Sequence, residues 1–189
     1  RAGEPATNLK RKGIWIDIPH PASSLIEKWL KDRYRGRAKF EVHGTPQDLE
    51  CARNLALRDK YQFQWWAVSL VEAQPFQGKK KGADTGIDGV KFFRDLDQKE
   101  VRKIIVSVKG GGNVGPTMVK DLIATLAHQK GDIGLFLTLT VPTRAMITAA
   151  TAAGFDVTIS GRKFARVQLL TLEGLVDGTQ PERHPNYTP

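Results

Sequence analysis

Asp88 and Lys109 are the residues whose types and spacing point to chemistry. Lys109 ends the apolar run IIVSVK and is followed at once by Gly110, Gly111 and Gly112. Asp88 stands just before a second apolar run, GVKFF. If the two runs pair as a hairpin, a carboxylate and an ammonium emerge from neighbouring strand ends. Such a carboxylate can hold a hard divalent cation, Mg2+ or Mn2+, that keeps several of its waters. The cation polarises a phosphodiester and lowers the pKa of a bound water, while the lysine orients that nucleophile or offsets developing negative charge. Glycines 110–112 have no Cβ and admit the close approach of a bulky backbone. The simpler reading is an Asp–Lys surface pair, worth about 0–1 kcal/mol.

The elements that would place these groups follow from periodicity. In the strand 102–109, Ile104, Val106 and Val108 share one face, and Ile105, Ser107 and Lys109 share the other. The first face is apolar throughout and has to cover a helix; the second turns polar toward its end. Residues 89–95 supply the partner strand, with 96–101 as the connecting loop. A turn near Gln98 pairs residues whose numbers sum to about 196, setting Asp88 across from Val108. Upstream, Thr45 or Asp48 caps a helix to about Asp59, and a second helix runs from about Gln62 to Ala73. Phe63, Trp66, Val68, Leu70 and Val71 give the second helix a wide apolar face, assigned to core rather than to stacking on bases.

Residues 74–86 read as a loop. Downstream, Pro116 opens a helix to about Gln129, DIGLFLTLT is a buried strand, and an alanine-rich helix over 142–153 stops at Gly154. ARVQLLT is a last strand and LEGLVDG a short helix. The order helix, helix, strand, strand, helix, strand, helix, strand predicts an α/β domain: a mixed sheet flanked by helices on both faces.

With 189 residues the chain can hold one good core, or one domain and an appendage. No apolar run approaches the roughly 18–20 residues of a membrane span, and no signal peptide opens the chain. One cysteine, Cys51, suits a reducing compartment such as the cytoplasm. His20, His43, His128 and His184 lack metal-ligand spacing. The net charge of +9 favours a polyanion, nucleic acid ahead of an anionic membrane surface.

Residues 1–45 are the least regular: a basic lead-in, a short strand at IWIDI, and a capped helix at SSLIEKWLKDRY with Leu25, Trp29 and Leu30 on its apolar side. The basic run 28–39 is either a solvated helix face or a nucleic-acid contact. The tail from Thr179, with three prolines, is expected to be disordered. The domain plan is therefore an extension or linker over 1–45, a core over 46–177 and a tail over 178–189. Starting with Arg1 rather than methionine, the chain reads as a piece of something longer.

GADTGIDG (82–89) followed by SVK (107–109) resembles the active-site pattern of Mrr-like restriction endonucleases, of the PD-(D/E)XK nuclease superfamily. Their pattern is a glycine-rich turn ending in Gly-Ile-Asp-Gly, an intervening strand, then a strand ending in Gln-x-Lys or Glu-x-Lys. The similarity extends from DLECARNLALRDKYQFQWWAV to GLFLTLTVPTRAMITAATAAGF, covering about residues 46–177. The resemblance implies a restriction-endonuclease-like core and Mg2+- or Mn2+-dependent cleavage of DNA. Asp88 matches the metal-binding aspartate, Lys109 the catalytic lysine, and Val108 the position whose backbone carbonyl ligates metal. Ser107 occupies the place of the Gln or Glu ligand, a departure, since a hydroxyl is a weaker ligand and carries no charge. Either another carboxylate compensates, Asp84 or Glu72, or the site is impaired. Stabilising its own turn is an equal reading of Asp84, and exposure at the surface is the favoured reading of Glu72.

Lys79, Lys80 and Lys81 precede the motif and, in the nuclease reading, contact phosphate without reading sequence; a solvated loop is the alternative. The wording GIDG with VKGG is also similar to endonuclease-like domains fused to bacterial DNA methyltransferases. That implies an upstream methyltransferase, and double-strand cleavage would call for two copies of the chain. Three rivals accompany this reading. An inactive nuclease fold could serve as a DNA-binding or docking module, Ser107 being its support. GGGNVG (110–115) matches G-x-G-x-x-G, but Lys109 stands where dinucleotide sites carry an apolar residue, and the next strand ends in threonines. The superfamily also includes Holliday-junction resolvases, although no residue here selects branched DNA.

Overall fold

The computed structural model describes residues 48–76, 86–94, 101–158 and 161–185, with scattered positions between 26 and 46. The chain divides into two units, Arg1–Thr45 and Pro46–Pro189. In the first, the described positions between 26 and 34 are helical, Leu30 is buried, and the Trp29 ring meets Tyr34 edge-on at 6.1 Å. The expected lead-in and the strand at 14–18 lie outside the described residues.

The second unit opens with two helices that share one residue as their boundary. Helix α1 (Leu49–Arg58) is capped by Asp48, whose side chain accepts from the Cys51 N–H at 2.7 Å. Asp59 closes α1 and caps α2 (Lys60–Leu70), accepting from the N–H groups of Tyr61 and Gln62. Among the expected caps, Asp48 is the one used. Its carboxyl is held below the ordinary range by the backbone hydrogen bond from Cys51.

There follow β1 (Gln74–Pro75), β2 (Gly89–Phe93), β3 (Arg102–Lys109), α3 (Pro116–His128), β4 (Ile133–Thr138) and α4 (Arg144–Ala152). The chain ends with β5 (Phe155–Val157), β6 (Lys163–Ala165), β7 (Val167–Thr171) and α5 (Leu172–Val176). Five strands form one mixed sheet in the order β1-β2-β3-β4-β7, antiparallel through β3 and parallel from β3 to β7. Helices α1 and α2 bury Ala52, Leu55, Phe63 and Trp66 against Ile104, Val106, Val108 and Leu135. Helices α3 and α4 set Val119, Leu122, Leu126 and Met146 against Ile105 and Phe136 on the other face. All six residues of β4 are therefore buried, which explains its unbroken apolar sequence.

Three features depart from the sequence expectations. The stretch taken as a loop from Gln74 begins with β1, which uses Pro75 on the outermost strand, where a missing N–H is tolerated. The run ARVQLLT is split: Ala165 belongs to the β5–β6 hairpin, and β7 begins at Val167. The tail is not loose over its described part, to Pro185. Gln180 Oε1 accepts from Thr171 N–H at 3.0 Å, and Arg183 N–H donates to Gln168 Oε1 at 2.9 Å. Lys91 Nζ donates to Glu182 and, at 3.2 Å, to the Val71 carbonyl, while the His184 ring lies 5.8 Å from that of Phe93. Composition could not show this, because the tail's partners are spread over β2 and β7.

Lys91→Met takes the ammonium from the largely covered Glu182 carboxylate, leaves it His184 Nε2 at 3.3 Å, and should cost about 1–2 kcal/mol of stability, read from urea unfolding. An unchanged midpoint would mean that this ion pair contributes nothing to the domain.

At the opposite end of β3 from Lys109, Arg102 bridges Asp132 and Asp156. Burial opposes its charge, but hydrogen bonds to the two carboxylates outweigh that and raise its pKa. This network ties the starts of β3, β4 and β5 together. The far ends of β3, β4 and β7 are then level: Lys109 pairs with Thr138, and Thr138 with Thr171. Because β2 runs antiparallel, its first residue, Gly89, arrives at the same rim.

Candidate active site

Ligand sites in open α/β sheets collect beyond the carboxyl ends of parallel strands, and here that rim carries Asp88 and Lys109. The β2–β3 ladder ends with Gly89 opposite Val106, one residue off the expected register. Asp88 continues past it, its N–H donating to the Val106 carbonyl at 2.9 Å. Its carboxylate then takes over the ladder: Oδ2 accepts from the Val108 N–H at 2.6 Å. The acid is thus bonded to the residue that precedes Lys109. In a strand the N–H and C=O of one residue point to the same side, so the Val108 carbonyl faces the Asp88 side of β3.

The glycines around this point have separate reasons. Gly86 has φ +69°, a turn conformation that favours glycine. A Cβ on Gly89 would lie 2.6 Å from Val68 Cγ1, so this glycine lets α2 close onto β2. A Cβ on Gly110 would lie 2.6 Å from the Phe63 ring. Gly110 therefore serves internal packing, which corrects the expectation that all three glycines exist for an incoming backbone. Gly111 and Gly112 are exposed, and a Cβ on either would meet nothing within 4 Å.

Ser107 is only 3% exposed, on β3 opposite Phe136 of β4. Its face of the sheet is covered by α3 and α4, as expected of a sheet with helices on both faces, with Ile105 in their core. Lys109 is partly exposed where that face reaches the rim. Glu72 stands exposed with its carboxylate 3.9 Å from Lys91 Nζ, as favoured from the sequence. Lys79, Lys80, Lys81 and Asp84 lie outside the described residues. Among the described residues, no three His, Cys, Asp or Glu side chains gather as a metal cage, and no helix is long and apolar enough to cross a membrane.

One residue of the site escaped sequence reasoning. Gln64 of α2 donates from Nε2 to Asp88 Oδ1 at 3.0 Å. Its available signal was a polar side chain directly beside the core residue Phe63, in a helix whose buried residues are Phe63, Trp66, Ala67 and Val68. The carboxylate of Asp88 therefore receives a donor on each oxygen, one from the sheet and one from a helix.

Comparison with known proteins bears on this geometry. A family model described as a restriction endonuclease (Mrr_cat) matches residues 57–177, from the end of α1 to the residue after α5. The curated proteins gave no match. Among solved structures, MspJI restriction endonuclease in complex with a 27-mer oligonucleotide aligns at TM-score 0.39 and 14% identity. The alignment covers 89% of this chain and 35% of that one.

Proposed function

From the premise that this chain belongs to the Mrr-like restriction endonuclease family, a family of nucleases, we propose that it is a divalent-metal-dependent DNA endonuclease domain. Its setting is a restriction or defence system, and its reaction is phosphodiester hydrolysis at the rim formed by Asp88 and Lys109. The observation that carries this reading is the bond from the Val108 N–H to Asp88, which puts the acid one residue from the lysine at a shared strand end.

The donors at the rim fit a partly hydrated Mg2+ or Mn2+ better than an all-protein cage. Mg2+ is commonly held by one or two carboxylates together with substrate phosphates, keeping several waters. Asp88 would hold the ion, with the Val108 carbonyl as a second donor and Asp84 as a candidate third. The bound ion supplies Lewis-acid polarisation of the phosphoryl group and a water of lowered pKa. Lys109 orients the attacking water and offsets the negative charge that builds on the phosphoryl oxygens. One P–O bond forms to the water oxygen and one breaks to the sugar oxygen, which leaves with a proton from solvent. Gly111 and Gly112, with Lys79–Lys81, admit and hold the phosphate backbone without reading bases. Cutting both strands at one locus would use two copies of the chain.

A second reading is favoured by Ser107, a nearly fully buried hydroxyl where the family pattern has Gln or Glu. In that reading the fold binds DNA as a docking module for an attached methyltransferase and cuts poorly or not at all. Plasmid nicking separates the two. The endonuclease reading expects nicks with Mg2+ or Mn2+ and none in EDTA. A chain that retards DNA on a gel yet never cuts it, whichever divalent ion is added, would favour the docking module instead.

A further inference from the structure

We propose that Gln64 is a positioning residue, which fixes the orientation of the Asp88 carboxylate; this rests on the active-site reading above. The final torsion of an aspartate is a broad, roughly two-fold rotor. One hydrogen bond would leave the carboxylate able to swing. Here the two oxygens are pinned from two elements, Oδ2 by the Val108 N–H of β3 at 2.6 Å and Oδ1 by the Gln64 amide of α2 at 3.0 Å. Two donors from two different elements define the plane of the carboxylate, and with it the directions from which its oxygens can meet a cation.

The helix that carries Gln64 is itself seated on the site. Phe63, its neighbour, packs against Gly110 just after Lys109, and Val68 packs against Gly89 just after Asp88. Asp59 caps the helix start through Tyr61 and Gln62. Gln64 is thus delivered from a body in contact with both halves of the rim, 24 residues away from Asp88 in sequence. The side-chain type matters as well. An amide donates to an ionised carboxylate, whereas a glutamate of the same size would place a second negative charge against it.

The expectation is that Gln64 governs metal affinity rather than DNA affinity. Mn2+ binding would be followed by calorimetry on the full chain with an uncleavable phosphorothioate duplex, comparing the parent with Gln64→Met, Gln64→His and Asp88→Asn. Gln64→Met, which keeps length and loses the donor, should weaken Mn2+ binding about tenfold. Its melting temperature and its DNA affinity in EDTA should match the parent, which a merely structural role would not give. Gln64→His, whose Nε2–H reaches a similar point, should recover most of the loss. Should Gln64→Met fail to fold, Gln64→Leu gives the same reading. Parental Mn2+ affinity in Gln64→Met, with Asp88→Asn impaired, would overturn the positioning role and leave the active-site reading standing. If Asp88→Asn also binds Mn2+ normally, the active-site reading falls and the positioning role with it.

Discussion

Asp88→Asn should lower metal-dependent cleavage by about a thousandfold or more, while gel-shift affinity for DNA in EDTA stays within about twofold. The substitution preserves size and removes the charge that would hold the cation. It also reverses one hydrogen bond. Both Asp88 oxygens accept now, from Gln64 and from the Val108 N–H. An asparagine keeps its oxygen on the Val108 N–H if the Gln64 amide turns over, so that Gln64 Oε1 accepts from the new NH2. Because both positions stay bonded, stability should fall by no more than about 1 kcal/mol, and melting measured beside cleavage separates this from the loss of charge. Cutting at the parental rate by folded Asp88→Asn would remove the aspartate from the mechanism.

Lys109→Met should reduce the rate by a further distinguishable route, about 100- to 1000-fold, with the Mg2+ concentration for half-maximal cleavage unchanged. Methionine keeps the aliphatic stem that lies along the rim and removes the ammonium. Because Lys109 is assigned to the water and the developing charge rather than to the cation, only the maximal rate should respond. Lys109→Arg should not restore activity, since a planar guanidinium is a poor substitute for a compact point charge. A shift in metal requirement without a loss of rate would reassign Lys109 to the metal; parental kinetics would leave it a surface residue of the strand end.

The parts of this molecule that could be read along the chain are those written in local chemistry. Asp48 and Pro116 mark the starts of α1 and α3, Asp59 closes α1, and Gly154, with φ +76°, follows the end of α4 and turns the chain toward β5. Alternation in residues 104–109 separates the two faces of β3 and sends Lys109 to the rim. The pairing of β2 with β3 also needs little beyond counting across one loop, which is why Asp88 was placed beside that rim with an error of one residue.

Other features were decided only when distant segments met. Gln64 reaches Asp88 across 24 residues, and Lys91 reaches Glu182 across 91. The need for glycine at 110 is set by a ring from α2, not by the turn in which it sits. Ser107 is buried because α3 and α4 cover its side of the sheet. Periodicity reports which residues turn inward, since burial repeats with the backbone. It says nothing of which inward residue meets which, because that depends on how helices and sheet stack, and the orientation of the Asp88 carboxylate is settled at that level.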